Sequence, residues 1–217
     1  FKPSRYEVQS EACADFEIVI TPDGIVKGYA VADAYMDSQN SMAPIRLRGE
    51  LERETFFAEY ERLVLEGCGI DVCIETARRI WRRLGEIPYT LVPFDDVVPT
   101  LEAFRQVGVV IGMISNINQT GDEIIGTLGL DGCLDFVVTS GEVGVEKPHP
   151  AIFQMALKRA GVEPGEAIHV GDQLTSDVEG AMNIGIMPVL LDRDGIHKGY
   201  GRCPRVETLI ELLTLIK

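Results

Sequence analysis

The chain has 217 residues, 46% of them hydrophobic, enough for one α/β domain with a substantial core and a smaller appendage. Its 34 acidic against 20 basic side chains give a formal charge of −14, which argues against nucleic acid or an anionic membrane as partner and requires local positive charge for any anionic substrate. Cys13, Cys68, Cys73, Cys133 and Cys203 are scattered without a CxxC pair, a pattern that suits the reducing cytoplasm, and neither a membrane-spanning run nor a signal-peptide layout is present.

Residues 1 to about 90 read as mostly helical, with no strand alternation. Thr21-Pro22-Asp23 spells a helix start, with threonine as cap, proline in the first position and an acid in the first turn. Val26, Tyr29, Ala30, Val31 and Ala34 form the apolar face that follows. Residues 40–48 are expected as a loop. Residues 51–66 predict a second helix carrying Phe56, Phe57, Tyr60, Leu63 and Leu65, with Gly67 or Gly69 ending it. A third covers 74–84, with Ile80, Trp81 and Leu84 buried. Its Arg78, Arg79, Arg82 and Arg83 are the densest basic cluster and read as a solvated face in preference to a substrate-facing patch.

From Pro93 onward helices alternate with strands. The pattern predicts a helix over 97–106, a buried strand over 109–115, and a helix over 120–128 opened by a Thr120/Glu123 capping box. A strand over 136–140, a helix from His149-Pro150 to Ala160 closed by Gly161, and a strand leading to Asp172 come next. A helix from Ser176, a strand over 187–191 and a helix over 208–216 complete the chain. Units of this size predict an α/β fold, a Rossmann-like parallel sheet with helices on both faces, beside a small α-helical domain.

The stretch AIHVGDQLTSD (167–177) organises the chemistry. Its apolar run is too short for a helix, Gly171 permits a sharp exit, and Ser176 with Glu179 spells a capping box. Asp172 and Asp177 would then lie close together at the carboxyl end of a strand, the edge where open α/β sheets bind ligands. Paired carboxylates repel unless a cation or proton sits between them, so a hard divalent ion such as Mg2+ would suit the site. Two acids that open a turn and cap a helix remain the alternative at this point. Ser115-Asn116 ends the strand over 109–115, at the same edge, with groups of the kind that hold phosphate oxygens. Lys147, in the constrained segment GEVGVEKPHP (141–150), could offset the carboxylates as a point charge.

These pieces occur in one order, each just beyond a strand, and together the chain resembles the haloacid dehalogenase (HAD) superfamily, most of whose members are magnesium-dependent phosphatases. Residues 93–217, including LGLDGCLDFVVTSGEVGVEKPHPAIFQMAL, are similar to its second, third and fourth motifs, and residues 1–90 resemble the helical cap that many members insert after the first. The resemblance divides the chain into an exit segment from the first motif (1–10), a helical cap (11–90) and an α/β core (91–217). It implies that Ser115 and Asn116 hold the transferring phosphoryl group and that Lys147 stabilises charge on nucleophile and phosphate. Asp172 would bind magnesium, and Asp177 would support the metal directly or through water. It also implies an aspartate nucleophile and an acid–base aspartate in a DxDxT motif, an aspartyl-phosphate intermediate, and a small phosphorylated metabolite as substrate. The protein would be a cytoplasmic monomer or homodimer, with Tyr29, Arg46, Arg48 and the arginines around Trp81 as candidates for substrate selection.

No DxDxT occurs in the chain. The imitation at 18–25 (IVITPDGI) has Thr21 in the place of the nucleophile and Ile25 in that of the threonine, and is rejected because Thr21-Pro22-Asp23 is a helix start. The motif is instead expected just before Phe1. The central strand of the sheet is then missing, its neighbours lose partners at roughly 1–3 kcal/mol per group, and this chain alone is expected to be unstable or inactive. Two other functions compete. A 2-haloacid dehalogenase would work without magnesium and generally lack the first acid of GDxxxxD, against which Asp172 argues. A non-catalytic scaffold would not be expected to retain Ser115, Lys147, Asp172 and Asp177 together. His169 is expected to face the sheet packing, with a catalytic part the minority reading, and His149 to cap a helix.

Overall fold

The computed structural model describes residues 2–215. The chain divides into two compact units, one ending at Leu91 and the other beginning at Val92.

The first unit is built from α1 (Arg5–Ala14), α2 (Pro22–Met42), a 3-10 turn (Ile45–Leu47), α3 (Glu50–Gly67) and α4 (Ile74–Leu84). Helix α2 starts where Thr21-Pro22 predicts, the threonine hydroxyl accepting from the Gly24 amide at 3.1 Å, so the imitation motif at 18–25 is indeed a helix entry. Two expectations are corrected. Most of the predicted exit segment is helical, because Ser4 and Glu7 form a capping box that opens α1; Phe1 itself lies outside the described residues. The predicted loop over 40–48 is helix to Met42 and then a 3-10 turn, with Asn40 Oδ1 accepting from the Ile45 amide. The core gathers Ala12, Ile25, Phe56, Val64, Leu65 and Ile80, and α2 meets α3 closely because Gly28 and Gly67 have no Cβ to separate them. Trp81 of α4 stacks on Phe57 of α3 at 4.3 Å between ring centroids. Lys2 and Thr90 form an antiparallel bridge with two backbone bonds of 2.9 Å, so both ends of the unit leave side by side.

The second unit is α/β. Its elements are α5 (Val97–Gln106), β1 (Gly112–Ser115), α6 (Gly121–Leu128), β2 (Phe136–Thr139), α7 (Ser140–Val143) and α8 (Pro150–Ala160). After these come β3 (Ile168–Gly171), a π-helix (Leu174–Glu179), α9 (Gly180–Met182), β4 (Met187–Leu191), β5 (Arg205–Val206) and α10 (Leu212–Leu215). All strand pairs are parallel, as expected, but they fall into two groups. Strand β1 pairs with β2, Ser115 opposite Thr139, and β3 pairs with β4, which pairs with β5. Among the described residues β1 and β3 each have one neighbour, and they are less buried than β2 and β4. One core packs Val138 against Ile152, Phe153 and Ala181; another packs Phe104 and Leu212 against Val189 and Val206.

Three boundaries differ from expectation. Strand β1 begins at Gly112 because the Ile111 amide donates to Asp135 Oδ2. Ser140 starts α7, capped by Thr139, and so leaves the strand. The expected helix over 208–216 is a 3-10 turn (Leu209–Glu211) leading into α10, and its predicted end at Ile216 lies outside the described residues.

Candidate active site

The carboxyl ends of β1, β2 and β3 bring the chemistry together. Strand β3 presents alternate residues to opposite faces. Val170 joins the core of Phe104 and Val189, while His169 sets its ring edge-on to Phe153 at 5.1 Å. Gly171 shares the face of His169 and has to be glycine, because a Cβ there would overlap the carboxyl group of Asp177.

The segment after Gly171 is the main local correction. Ser176 does not cap a helix: it lies buried inside the π-helix, which begins at Leu174 with Gln173 as its cap residue. The helix widens because Asp177 turns back to receive the Gln173 amide on Oδ2 at 3.0 Å and two side chains on Oδ1. Single π turns of this kind recur at functional sites.

Lys147 Nζ donates to Asp177 Oδ1 at 2.6 Å, and the two side chains are 12% and 4% exposed. His169 Nε2 reaches the same oxygen at 2.9 Å. Burial pushes the Asp177 carboxyl up, but the Lys147 ammonium and the His169 hydrogen bond outweigh it and hold the group well below the usual carboxylate range. The carboxylate therefore only accepts, and Nε2 carries the proton. Lys147 is held at its backbone as well. Its amide donates to Asn116 Oδ1 at 2.7 Å, and Asn116 Nδ2 donates to its carbonyl at 3.0 Å.

Lys147 and Asp177 thus meet directly, and Asn116 joins them through the Lys147 backbone instead of presenting its amide to a ligand. Ser115 stands half-buried at the end of β1, and Asp172 is exposed one residue beyond β3. His149 caps α8, with Nδ1 accepting from the Ala151 amide at 3.2 Å. The part of His169 in holding Asp177 was not anticipated, although its place two residues before Gly171, on the same strand face, was the available signal.

The basic cluster of α4 is committed within its own unit. Arg78 pairs with Glu75 and Arg82 with Glu54; Arg83 pairs with Glu11 and Asp15, and Arg79 lies over the Phe16 ring. Arg48 donates to Gln39 and to the Ala43 carbonyl, and the Tyr29 hydroxyl donates to Gln9 Oε1 at 3.0 Å.

For a magnesium ion, the described residues contain no group of three or more His, Cys, Asp or Glu side chains that could hold a metal. Asp177 already accepts three donors, which leaves the exposed Asp172 as the carboxylate at this edge. That donor set fits magnesium, which usually takes one or two carboxylates and fills its shell with water and substrate phosphate. No helix among the described residues is long and apolar enough to cross a membrane.

Residues 14–185 match the family of haloacid dehalogenase-like hydrolases. The chain is 41% identical over 104 residues to the glyceraldehyde 3-phosphate phosphatase of Methanopyrus kandleri, covering 48% of this chain and 45% of that protein. It is 44% identical over 116 residues to the enzyme of the same name from Pyrococcus furiosus, covering 50% and 48%. The matching stretch thus spans about half the length of either relative. The crystal structure of a HAD phosphatase from Thermococcus onnurineus is similar over 91% of this chain and 93% of that one, with a TM-score of 0.57 and 27% identity.

Proposed function

This chain belongs to the family of haloacid dehalogenase-like hydrolases, and from that membership we propose that it serves a magnesium-dependent phosphohydrolase acting on a small phosphorylated metabolite. The observation that carries the reading is the buried Lys147–Asp177 pair at 2.6 Å, anchored through Asn116 at the sheet edge where Asp172 is exposed. Similarity to the glyceraldehyde 3-phosphate phosphatases supports a small phosphate ester as substrate.

In the proposed reaction Lys147 places its ammonium against the phosphate, held by the Asp177 carboxylate and by the two bonds from Asn116 to its backbone. Ser115 offers its hydroxyl to a phosphoryl oxygen from the end of β1. Asp172 would hold the magnesium ion, which supplies charge neutralisation at the phosphate when bound. The aspartate nucleophile of an aspartyl-phosphate route has no counterpart among residues 1–217, which contain no DxDxT. All five cysteines are free thiols, which supports a reducing cytoplasm as the setting for a monomer or homodimer.

The test compares Asp172→Asn with the parent, in the protein as the cell makes it, for hydrolysis of p-nitrophenyl phosphate. Loss of one metal carboxylate is expected to lower turnover by on the order of a hundredfold, and chelation with EDTA to abolish it in the parent. Undiminished hydrolysis by the mutant would sink the assignment.

A further inference from the structure

Asp177 Oδ1 is the acceptor for two side chains from different segments, Lys147 Nζ at 2.6 Å from the loop after α7 and His169 Nε2 at 2.9 Å from β3. We infer that His169 is a positioning residue for Lys147: by sharing that oxygen it fixes the Asp177 carboxylate and keeps Lys147 from collapsing onto it, so that the ammonium stays available to an anionic substrate. The inference rests on the phosphohydrolase reading for its substrate, but not for its geometry.

Four observations carry it. First, the geometry of β3 serves Asp177 at two successive positions of one face: His169 donates to the carboxylate, and Gly171 makes room for it. Second, the His169 ring is locked by neighbours. Its edge-on contact with Phe153, which is 0% exposed, sets the ring plane, and only 12% of the His169 side chain is exposed. Third, every oxygen of Asp177 is accounted for by donors from three directions, the remaining one being the Gln173 amide on Oδ2. At 4% exposure there is little room for water to replace a donor that is removed. Fourth, an ammonium and an imidazole N–H that share one oxygen divide its acceptor capacity. With the imidazole gone, the whole of that capacity falls to Lys147, whose own backbone is already fixed by Asn116. The free movement left to the pair is then closure of the side chain toward Asp177, away from the edge where Ser115 and Asp172 lie.

The experiment uses His169→Phe, which keeps a ring against Phe153 and removes the donor, and His169→Gln, whose amide nitrogen can stand where Nε2 stands. Two readouts are taken. One is the rate at which Lys147 is acylated by an N-hydroxysuccinimide ester, followed by mass spectrometry with Lys27 and Lys158 as internal controls. The other is kcat and KM for p-nitrophenyl phosphate with magnesium in excess. In His169→Phe, Lys147 is expected to acylate several-fold more slowly while the controls do not change. Its kcat/KM is expected to fall by about tenfold or more, the usual scale for losing a partner that orients a site residue. His169→Gln is expected to recover most of both. Parental acylation and parental kcat/KM in His169→Phe would overturn the inference. So would equal impairment of the two variants at the parent's melting temperature, which would assign the effect to ring packing. Should His169→Phe fail to fold, His169→Gln decides alone: a Lys147 acylation rate near the parent's supports the inference and a changed rate overturns it. A parent that does not hydrolyse the ester defeats the phosphohydrolase reading, and the acylation rates then decide the role of His169 by themselves.

Discussion

Glu61, on α3 of the helical unit, offers the sharpest test of the electrostatics. Its side chain is 1% exposed. Gln9 Nε2 donates to Oε1 at 2.5 Å, and Gln9 Oε1 in turn accepts from the Tyr29 hydroxyl, while Oε2 has no partner. Cys13 and Cys68 are the other ionisable groups whose charge it feels, and the guanidinium of Arg5 is engaged with Asp33 at 3.1 Å. Burial without a cation pushes the Glu61 carboxyl from its ordinary 4.5 to about 8, against the weaker opposing effect of the Gln9 hydrogen bond. Folding therefore takes up a proton at Glu61 between those two values. Stability should fall as pH rises through the window and level off above it, by at most roughly 5 kcal/mol if the whole difference is expressed. Glu61→Gln keeps an oxygen for Gln9 and removes the ionisation, so its stability relative to the parent should rise steadily from about pH 5 to pH 9. The assay is urea unfolding followed by fluorescence of Trp81, the only tryptophan of the chain, whose ring is stacked on Phe57 of the same helix as Glu61. Parallel stability curves for parent and mutant across that range would refute the reasoning and imply that the unpartnered oxygen is solvated.

Two further outcomes concern the candidate site. Lys147→Met leaves Asp177 charged and buried with only His169 and the Gln173 amide, and should cost about 3–5 kcal/mol in denaturant melts of the α/β unit read by circular dichroism; a loss below about 1 kcal/mol would mean that the pair does not hold the carboxylate. Gly171→Ala forces a methyl group into the Asp177 carboxyl group and should cost about 1–3 kcal/mol, together with the phosphohydrolase activity; a stable, active variant would show that the contact at Gly171 is slack.

The parts of the fold that the sequence made legible are those with local chemical punctuation. Thr21-Pro22, the Thr120/Glu123 box and His149-Pro150 with Gly161 each state a helix boundary in residues that touch one another, and the helices begin and end there. The π-helix was misread because its cause is not local. Ser176 and Glu179 have the spacing of a capping box, but the chain follows the demand of Asp177 for the Gln173 amide, Lys147 and His169, two of which come from other segments. The same holds for Asn116. A polar residue after a strand suggests a ligand for phosphate, and only the fold shows its amide matched to both backbone groups of a lysine 31 positions away. The capping box at Ser4/Glu7 was legible in principle, and was passed over because residues 1–10 were assigned by resemblance rather than by their own pattern.

Asp177 and Glu61 show what the electrostatics of a site require here. Both carboxyl groups are almost fully buried, and burial pushes both upward. Glu61 has an amide for a partner and stays protonated through neutrality; Asp177 has an ammonium and an imidazole N–H and stays charged. Keeping Asp177 ionised has a consequence at the sheet edge. Its charge cancels that of Lys147, so this pair attracts a phosphate less than a lone lysine would, and Asp172 adds one negative charge beside it. A phosphate dianion entering that edge meets net repulsion from these three side chains unless a cation is bound there as well. An exposed aspartate next to a neutralised lysine is thus poorly suited to binding phosphate alone and well suited to binding it together with a divalent ion, which is why the metal and the phosphate belong to one proposal.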